Sequence, residues 1–173
     1  MIRLTAADYT EQPWKNGKGS TTELWRMERD GALLIRLSRA VVAEDGPFSL
    51  FPGIERNLTV LTGPGFRLAG AGLDLACAPL VPVAFPGDVA VVASGTAQGA
   101  SVDFNVMTAR TLPRPEVRVT GAAAFAAGGL LALYALGPVT VNGQPLDPED
   151  LILTEGAAVV AGSGRVLAIR LFP

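Results

Sequence analysis

Apolar residues along this chain fall in short runs that are broken every few positions by glycine, proline or acidic residues. No window keeps the 3.6-residue spacing of an amphipathic helix, so the pattern predicts strands, with at most one short helical turn at residues 122–127. Asn142-Gly143 lies between two apolar runs and is typical of a two-residue hairpin, because both positions tolerate positive φ. The predicted strands are 33–42, 56–62, 65–69, 82–85, 89–93, 101–107, 117–120, 130–136, 139–141, 151–153, 157–161 and 164–171.

Two parts of the chain resemble each other. Residues 85–95, Phe-Pro-Gly-Asp-Val-Ala-Val-Val-Ala-Ser-Gly, are similar to 154–164, Thr-Glu-Gly-Ala-Ala-Val-Val-Ala-Gly-Ser-Gly, and 61–68 is similar to 135–141. A repeated pattern of strand, Gly-Pro turn, strand and acidic-Gly turn indicates a duplicated small β-barrel. Two prolines within 111–115 mark the linker, because proline discourages regular structure. We therefore expect one barrel with a ligand pocket in 1–110 and a second, packed on it, in 111–173.

Composition excludes several kinds of chemistry. The 173-residue chain has no histidine and one cysteine, so imidazole ligands, Ser-His-Asp catalysis, cysteine zinc sites and disulfides are all impossible within one chain. A formal net charge of −2 is unlike the basic surface of a nucleic-acid-binding protein. We predict no metal, no cofactor and no nucleic-acid partner. Cys77 is expected to be a small core residue, since no histidine could activate its thiol.

Residues 122–141 are almost wholly apolar and about as long as a bilayer span. Gly137-Pro138 interrupts this stretch, and a Gly-Pro pair between apolar runs favours strand, turn and strand over a membrane helix. The first residues lack the apolar run of a secretory signal. The expectation is a soluble cytoplasmic protein without a membrane partner.

Polar chemistry is concentrated early in the chain, because 16 of the 30 charged residues lie in the first 60. Strand alternation puts Arg36 and Ser38 on one face, where the guanidinium could bind a carboxylate or could simply be hydrated. Arg56 follows a turn-rich loop that carries Phe48 and Phe51, and the same two alternatives apply to it.

Two further segments are candidates for ligand contact. Asp103 and Asn105 share one strand face, which lies either in solvent or at the mouth of a barrel, where both would orient a ligand. The loop between Trp14 and Trp25 contains Asn16 and Gly17 and is either a surface loop or part of a binding site. It is not a phosphate-binding P-loop, because residue 18 is a lysine followed by glycine rather than by serine or threonine.

Four segments together resemble the HutD/Ves family. They are Pro-Trp-Lys-Asn-Gly-Lys-Gly at 13–19 with Thr-x-Glu-Leu ending at residue 24, Arg-x-Ser-x-Ala at 36–40, Gly-Pro-Phe-Ser-Leu-Phe-Pro-Gly-Ile-Glu-Arg at 46–56, and Asp-Phe-Asn-Val-Met at 103–107 followed by Arg110. The resemblance implies a bicupin-like fold and an association with histidine utilisation and stress response in bacteria. It also implies regulatory binding of a small acyl-amino acid such as formylglutamate. Lys18 and Ile35 depart from the family pattern, which usually has glycine and often tryptophan there.

The sequence thus predicts an all-β bicupin, two fused cupin-like β-barrels with little helix, that binds a small anionic metabolite without a metal. Its arginines would meet carboxylates, its aromatic residues would wall the pocket, and its amide, hydroxyl and carboxyl groups would orient the ligand. The predicted ligand-binding residues are Trp14, Asn16, Gly17, Glu23, Arg36, Ser38, Phe48, Phe51, Arg56, Asp103 and Asn105. Two alternatives stay open. One is a metal-free hydrolase or isomerase that uses Asp103, Glu23 or Lys15 for proton transfer. The other is an interaction module whose apolar second barrel forms a homodimer.

Overall fold

The computed structural model describes residues 1–14 and 20–173, and nearly all of its regular elements are β-strands. The chain divides into two compact units, which we call the first unit, Thr10–Leu112, and the second unit, Met1–Tyr9 with Pro113–Pro173. The division after Leu112 falls inside the proline-containing stretch 111–115. Met1–Tyr9 belong to the second unit because their strand pairs with one near the end of the chain.

The first unit is built from two antiparallel sheets. A six-stranded sheet has the order β2-β3-β4-β11-β6-β9, and a four-stranded sheet has the order β5-β10-β7-β8. A short 3₁₀ helix covers Thr96–Gln98. The strands are β2 (Thr10–Pro13), β3 (Ser20–Arg29), β4 (Ala32–Val42), β5 (Gly46–Pro47), β6 (Ile54–Thr62), β7 (Phe66–Gly70), β8 (Leu73–Cys77), β9 (Val83–Pro86), β10 (Val92–Ser94) and β11 (Ser101–Ala109).

Apolar side chains from both sheets form the core of the first unit. Leu58 and Val60 of β6 and Phe85 of β9 come from the six-stranded sheet, whereas Phe66 and Leu68 of β7 come from the four-stranded sheet. All are buried. The large sheet therefore has one face toward this core, and the remainder of that face is available for a site.

The second unit repeats this arrangement. One sheet has the order β1-β17-β14-β19-β12 and the other β13-β18-β15-β16, and a 3₁₀ helix covers Ala6–Asp8. The strands are β1 (Ile2–Leu4), β12 (Glu116–Thr120), β13 (Ala123–Phe125), β14 (Leu130–Ala135), β15 (Val139–Val141), β16 (Gln144–Leu146), β17 (Leu151–Thr154), β18 (Ala158–Ala161) and β19 (Val166–Leu171).

Eight strands of the first unit correspond one to one with eight strands of the second. The run β4-β11-β6-β9 matches β12-β19-β14-β17, and β5-β10-β7-β8 matches β13-β18-β15-β16, so the sequence repeat is a repeat of structure. Over the described residues the two sheets of each unit are hydrogen-bonded separately. Each unit is thus a two-sheet sandwich rather than one closed barrel.

Comparison with the predicted elements gives one clear correction and several omissions, since β1, β2, β3, β5, β8, β13 and β16 are not among the predicted strands. The helical turn predicted at 122–127 is wrong, because Ala123–Phe125 is a strand paired with β18. The ten-residue strand Ser20–Arg29 was not predicted. The hairpin at Asn142-Gly143 is confirmed, with φ of 51° and 78°. Over the described part of the chain, none of the helices is long and apolar enough to span a membrane.

Candidate functional site

A cavity of about 590 Å³ opens within the first unit on the core-facing side of its six-stranded sheet. Its size lies in the range of ordinary small-molecule sites. The cavity is lined by Gln12, Pro13, Trp14, Thr21, Arg36, Ser38, Ala40, Val42, Pro47, Phe48, Ser49, Phe51, Arg56, Asp103, Asn105 and Met107. Eight of the predicted ligand-binding residues are in this set: Trp14, Arg36, Ser38, Phe48, Phe51, Arg56, Asp103 and Asn105.

Strand alternation explains why these side chains meet. Every second residue of β4 from Arg36 to Val42 lines the cavity, and every second residue of β11 from Asp103 to Met107 does the same. The two strands are antiparallel neighbours in which Ser38 is opposite Asn105. The register of β11 with β6 then places Arg56 opposite Met107.

Asp103 and Asn105 are buried, with 0% and 5% of their surface exposed. The alternative in which this polar pair faces solvent is therefore wrong. The pairing of β11 with β6 shifts register between Val102 and Asp103, where β6 passes from Thr62 to Val60. Such a bulge redirects side chains locally, and here it adjoins the residue whose carboxyl enters the cavity wall.

Arg56 is the central cation of the site and is only 5% exposed. Its Cζ lies 5.1, 5.5 and 5.1 Å from the ring centroids of Phe48, Phe51 and Phe85. Rings at such distances stabilise a guanidinium through cation–π attraction, which strengthens on desolvation. The segment 48–51, which carries Phe48 and Phe51 and which we call the aromatic loop, therefore covers the cation together with Phe85 of β9 and also forms a wall of the cavity.

A chain of hydrogen bonds runs from this arginine to a carboxyl group. Arg56 Nη2 donates to Asn105 Oδ1 at 2.5 Å, and Asn105 Nδ2 donates to Asp103 Oδ1 at 2.7 Å. The amide is oriented by both neighbours, since its oxygen faces the cation and its nitrogen the carboxyl. We call Arg56, Asn105 and Asp103 the polar chain.

Gly87 holds the aromatic loop against the polar chain. Phe51 N donates to Gly87 O at 2.7 Å, and Gly87 N donates to Ile54 O at 2.7 Å. A Cβ at residue 87 would lie 2.8 Å from Ile54 O and 2.9 Å from Phe51 O, closer than backbone atoms tolerate. Only glycine fits here without a shift, so the turn at 85–88, which the sequence marks simply as a turn, also positions Phe51.

Burial shifts the ionisation of both ends of the polar chain. Desolvation lowers the pKa of Arg56 to about 10, with Asp103 raising it and Arg36 lowering it further. Desolvation raises the pKa of Asp103 to about 7, against the opposing effects of Arg56, Asn105 and the Ala40 amide. Near neutral pH the guanidinium thus stays charged, whereas the carboxyl is divided between its two forms.

Two side-chain atoms of the polar chain have no hydrogen-bond partner. Arg56 Nε and Asp103 Oδ2 are buried and have no hydrogen-bond partner among the described residues. Over the same residues, Arg56 has no carboxylate within ion-pair distance. Its remaining hydrogen bond, at 3.5 Å, is to the backbone carbonyl of Ser49. Unsatisfied buried groups are uncommon, and they cluster where a ligand or water completes the site.

Arg36 is differently placed. Its Nε donates to Glu23 Oε2 at 2.6 Å, and its Nη2 lies 3.3 Å from Gln12 Oε1. The two charged side chains are 13% and 11% exposed. Glu23 therefore acts on the cavity through Arg36, whose charge it neutralises, and is not itself part of the lining.

The remaining predicted residues fall into two groups. Trp14 lines the cavity and its Nε1 donates to Thr21 Oγ1 at 2.9 Å. Asn16 and Gly17 lie outside the described residues, as does Lys15.

The lining residues that sequence reasoning missed are Gln12, Pro13, Thr21, Ala40, Val42, Pro47, Ser49 and Met107. Strand alternation signals Ala40, Val42 and Met107, but no local pattern signals the pairing that brings in Gln12 and Thr21.

Cys77 is buried in the apolar core of the first unit. Desolvation raises the pKa of its thiol to about 12, with a smaller contribution from Asp103, so the group is neutral at physiological pH. Within residues 1–14 and 20–173 there is no group of three or more cysteine, aspartate or glutamate side chains that could hold a metal ion.

The second unit has a smaller cavity of about 230 Å³ on the strands that correspond to those of the first. It is lined by Glu116, Val117, Arg118, Ala124, Phe125, Ala126, Leu131, Ala168 and Arg170. The Cζ of Arg118 lies 5.0 Å from the Phe125 ring centroid, and Arg170 donates to the carbonyls of Ala126 and Gly128. Arg118 is exposed and Arg170 is half-buried, so among the described residues this cavity has no fully buried cation in its lining.

Comparison with known proteins identifies the family of the chain. The model of the HutD family matches residues 6–168. A stretch of 111 residues, 61% of the chain, is 41% identical to an uncharacterised 21.2 kDa protein in the hutC 3' region of Pseudomonas putida and spans 57% of that protein's length. The structure of HutD from Pseudomonas fluorescens SBW25, in a formate condition, has a TM-score of 0.89 and 31% identity, over 99% of this chain and 97% of that one.

A more distant likeness identifies the fold. A cupin 2 conserved barrel domain protein from Leptotrichia buccalis superimposes with a TM-score of 0.59 at 9% identity, over 94% of this chain and 91% of the other. With two corresponding sandwiches in one chain, the architecture is that of a bicupin. The family model covers both units almost completely, and the chain therefore belongs to the HutD family.

Proposed function

We propose that the first unit binds a small carboxylic acid, of the acyl-amino acid type represented by formylglutamate, and that the protein serves as a regulatory binding protein. The observation that carries this proposal is Arg56. It is a cation buried at the wall of a 590 Å³ cavity, and no carboxylate pairs with it directly among the described residues. A desolvated guanidinium is strongly attracted to a carboxylate, because the low local dielectric weakens screening.

The other contacts support a ligand with a second polar group. Arg36 lies two residues before Ser38 on the same face of β4. Its side chain is paired with Glu23 and remains 13% exposed. A dicarboxylate could place one group near Arg56 and the other near Arg36. The rings of Phe48 and Phe51 would then contact the carbon skeleton between them.

A thermal-shift experiment tests the proposal. N-formyl-L-glutamate at a concentration about 100-fold above its Kd should stabilise the protein by about 3 kcal/mol, which corresponds to roughly 5–10 °C in Tm. Arg56→Met should abolish the shift. Arg118→Met is the matched control, because it removes an arginine that also stacks on phenylalanine but lies in the second unit. Failure of formate, N-formyl-L-glutamate and other small acids to stabilise the wild-type protein would contradict the proposal.

One observation favours a second candidate function, an enzyme that acts on the same class of acid. Asp103 has a pKa of about 7, which suits a group that both accepts and donates a proton near neutral pH. Incubation of N-formyl-L-glutamate with the protein should then release formate and glutamate, and Asp103→Asn should stop that release. Stoichiometric binding without any product would favour the regulatory role.

A further inference from the structure

Among the described residues, the charges around the cavity of the first unit are balanced before any ligand enters. Arg56 and Arg36 contribute two positive charges. Glu23 and ionised Asp103 contribute two negative charges, one bound to Arg36 and the other joined to Arg56 through Asn105. Arg26 also approaches Glu23, at 3.8 Å, but its own charge is paired with Glu28. A carboxylate that binds here therefore brings an uncompensated negative charge next to Asp103 and Arg56, which are 0% and 5% exposed.

Asp103 is the group placed to relieve that excess. It is fully buried, and its Oδ2 has no hydrogen-bond partner among the described residues. A proton on Oδ2 would remove the negative charge and leave the bond from Asn105 to Oδ1 intact. Glu23 is less suited to this role, because its carboxylate is engaged directly by Arg36 at 2.6 Å.

The groups that face Asp103 from the neighbouring strands agree with this assignment. They are Arg56 from β6, Arg36 from β4 with Glu23 behind it on β3, and Cys77 from β8. Arg56, with its pKa lowered to about 10, stays protonated at neutral pH, and the thiol, with its pKa raised to about 12, stays neutral. The pKa of Asp103, about 7, allows this carboxyl to change charge in the physiological range.

We infer that acid binding in this cavity is proton-coupled: a carboxylate enters beside Arg56, and Asp103 takes up one proton from solvent as it does so. The inference rests on the proposed function, since it needs an acid to bind at all. It makes Asp103 the residue that links affinity to pH. Ionised Asp103 repels the incoming anion, and neutral Asp103 does not.

Calorimetry with N-formyl-L-glutamate tests the coupling. The carboxylates of this probe are ionised throughout pH 6–9, so the ligand itself does not titrate. Titrations at pH 7.5 in phosphate and in Tris, whose ionisation enthalpies differ, should show uptake of up to one proton per bound ligand. Above the pKa of Asp103, about 7, the affinity should fall about tenfold for each pH unit.

Asp103→Asn keeps the shape of the side chain but cannot ionise. This variant should bind the probe without proton uptake and with an affinity that is constant from pH 6 to pH 9. Asp74→Asn is the matched control, because Asp74 is an exposed aspartate of the same unit, bound to Arg67, and its loss should leave the coupling unchanged. Where Asp103→Asn does not fold, carboxyl ¹³C NMR of the wild-type protein replaces it. The pKa of the buried aspartate should then rise by at least one unit on saturation.

The possible outcomes separate this inference from the proposed function. If no acid binds the wild-type protein at any pH, the proposed function fails and the coupling with it. If the probe binds with a flat pH profile and no proton exchange, the proposed function stands and the coupling is overturned. Coupling that persists in Asp103→Asn would also overturn it, because another group would then be the proton acceptor.

Discussion

The two units place cavities on corresponding strands, yet the cavities differ in what lies at their centre. In the first unit, residues that are opposite each other on β4, β11 and β6 form cross-strand rows. One row is Ala40, Asp103 and Val60, and the next is Ser38, Asn105 and Leu58. In the second unit, the matching rows are Thr120, Val166, Ala135 and Arg118, Ala168, Leu133.

On β14 and β19, the strands that correspond to β6 and β11, the core-facing positions include Leu131, Ala168 and Val166, which we take as the counterparts of Arg56, Asn105 and Asp103. These three residues are 1%, 3% and 0% exposed. The second unit has therefore filled the same positions with side chains that need no partner. An apolar centre is therefore compatible with this two-sheet arrangement, and we expect the buried charges of the first unit to serve a role other than folding.

The largest effect on binding and stability is expected when one residue of the polar chain is replaced by its counterpart in the second unit. Arg56→Leu should abolish acid binding and lower the free energy of unfolding by about 3 kcal/mol at pH 8, because cation–π contacts are lost and Asp103 remains without a neighbouring cation. At pH 5 the loss should be smaller, since Asp103 is then protonated. Urea unfolding followed by tryptophan fluorescence measures this, because both tryptophans, Trp14 and Trp25, lie in the first unit.

Replacing all three residues of the polar chain should show that binding requires the chain and that stability does not. The triple variant Arg56→Leu, Asp103→Val, Asn105→Ala installs the apolar set of the second unit, and replacement of a buried charged network by apolar residues is often neutral or stabilising. We expect it to recover to within about 1 kcal/mol of the wild-type stability, still without acid binding. A triple variant less stable than Arg56→Leu alone would show that the polar chain supports the fold after all.

Asp103→Asn should change how stability depends on pH. The pKa of Asp103 is raised to about 7 in the folded protein from an ordinary value of 3.8, so the folded state holds more protons between those values. The wild-type free energy of unfolding therefore receives a contribution that falls as pH rises from about 4 to about 7. The variant lacks this contribution, and its stability relative to wild type should rise by a few kcal/mol across that window. Urea titrations at pH 4, 5, 6 and 7 provide the measurement, and parallel curves for the two proteins would contradict it.

The smallest effect is expected in the second cavity. Arg118 is exposed and stacks on Phe125 at 5.0 Å, so Arg118→Ala should cost about 0.5–1 kcal/mol. Binding of N-formyl-L-glutamate to the first unit should be unchanged. Urea unfolding followed by circular dichroism measures the first effect, and calorimetry the second. A loss of binding in this variant would remove the functional distinction between the two units.

Much of the polar cavity wall of the first unit could be predicted from the sequence because it depends on strand alternation. The spacing of Arg36 and Ser38, and of Asp103 and Asn105, places each pair on one face whatever the register. The repeat between residues 85–95 and 154–164 similarly indicates duplication without any structure, because equivalent turns need equivalent residues.

What could not be predicted depends on contacts between distant strands. Gln12 and Thr21 reach the cavity through the pairing of β2, β3 and β4, which local hydrophobicity does not encode. The bond from Arg56 to Asn105 spans 49 residues and requires the register of β6 with β11. Full burial of Asp103 runs against the usual exposure of aspartate, so no composition rule predicts its raised pKa.

The central position of β11 has a consequence for the local stability of the cavity walls. This strand pairs with β4 on one side and β6 on the other, so exchange of its amide hydrogens with solvent should require opening of most of the sheet. The segment from Phe48 to Phe51 is held mainly by the Phe48–Val91 and Phe51–Gly87 backbone bonds, which can break locally. We therefore expect the amide hydrogens of Asp103 and Asn105 to exchange more slowly with solvent than those of Phe48 and Phe51. Two walls of one cavity would then differ in local stability, because one belongs to the middle of a sheet and the other to a short loop.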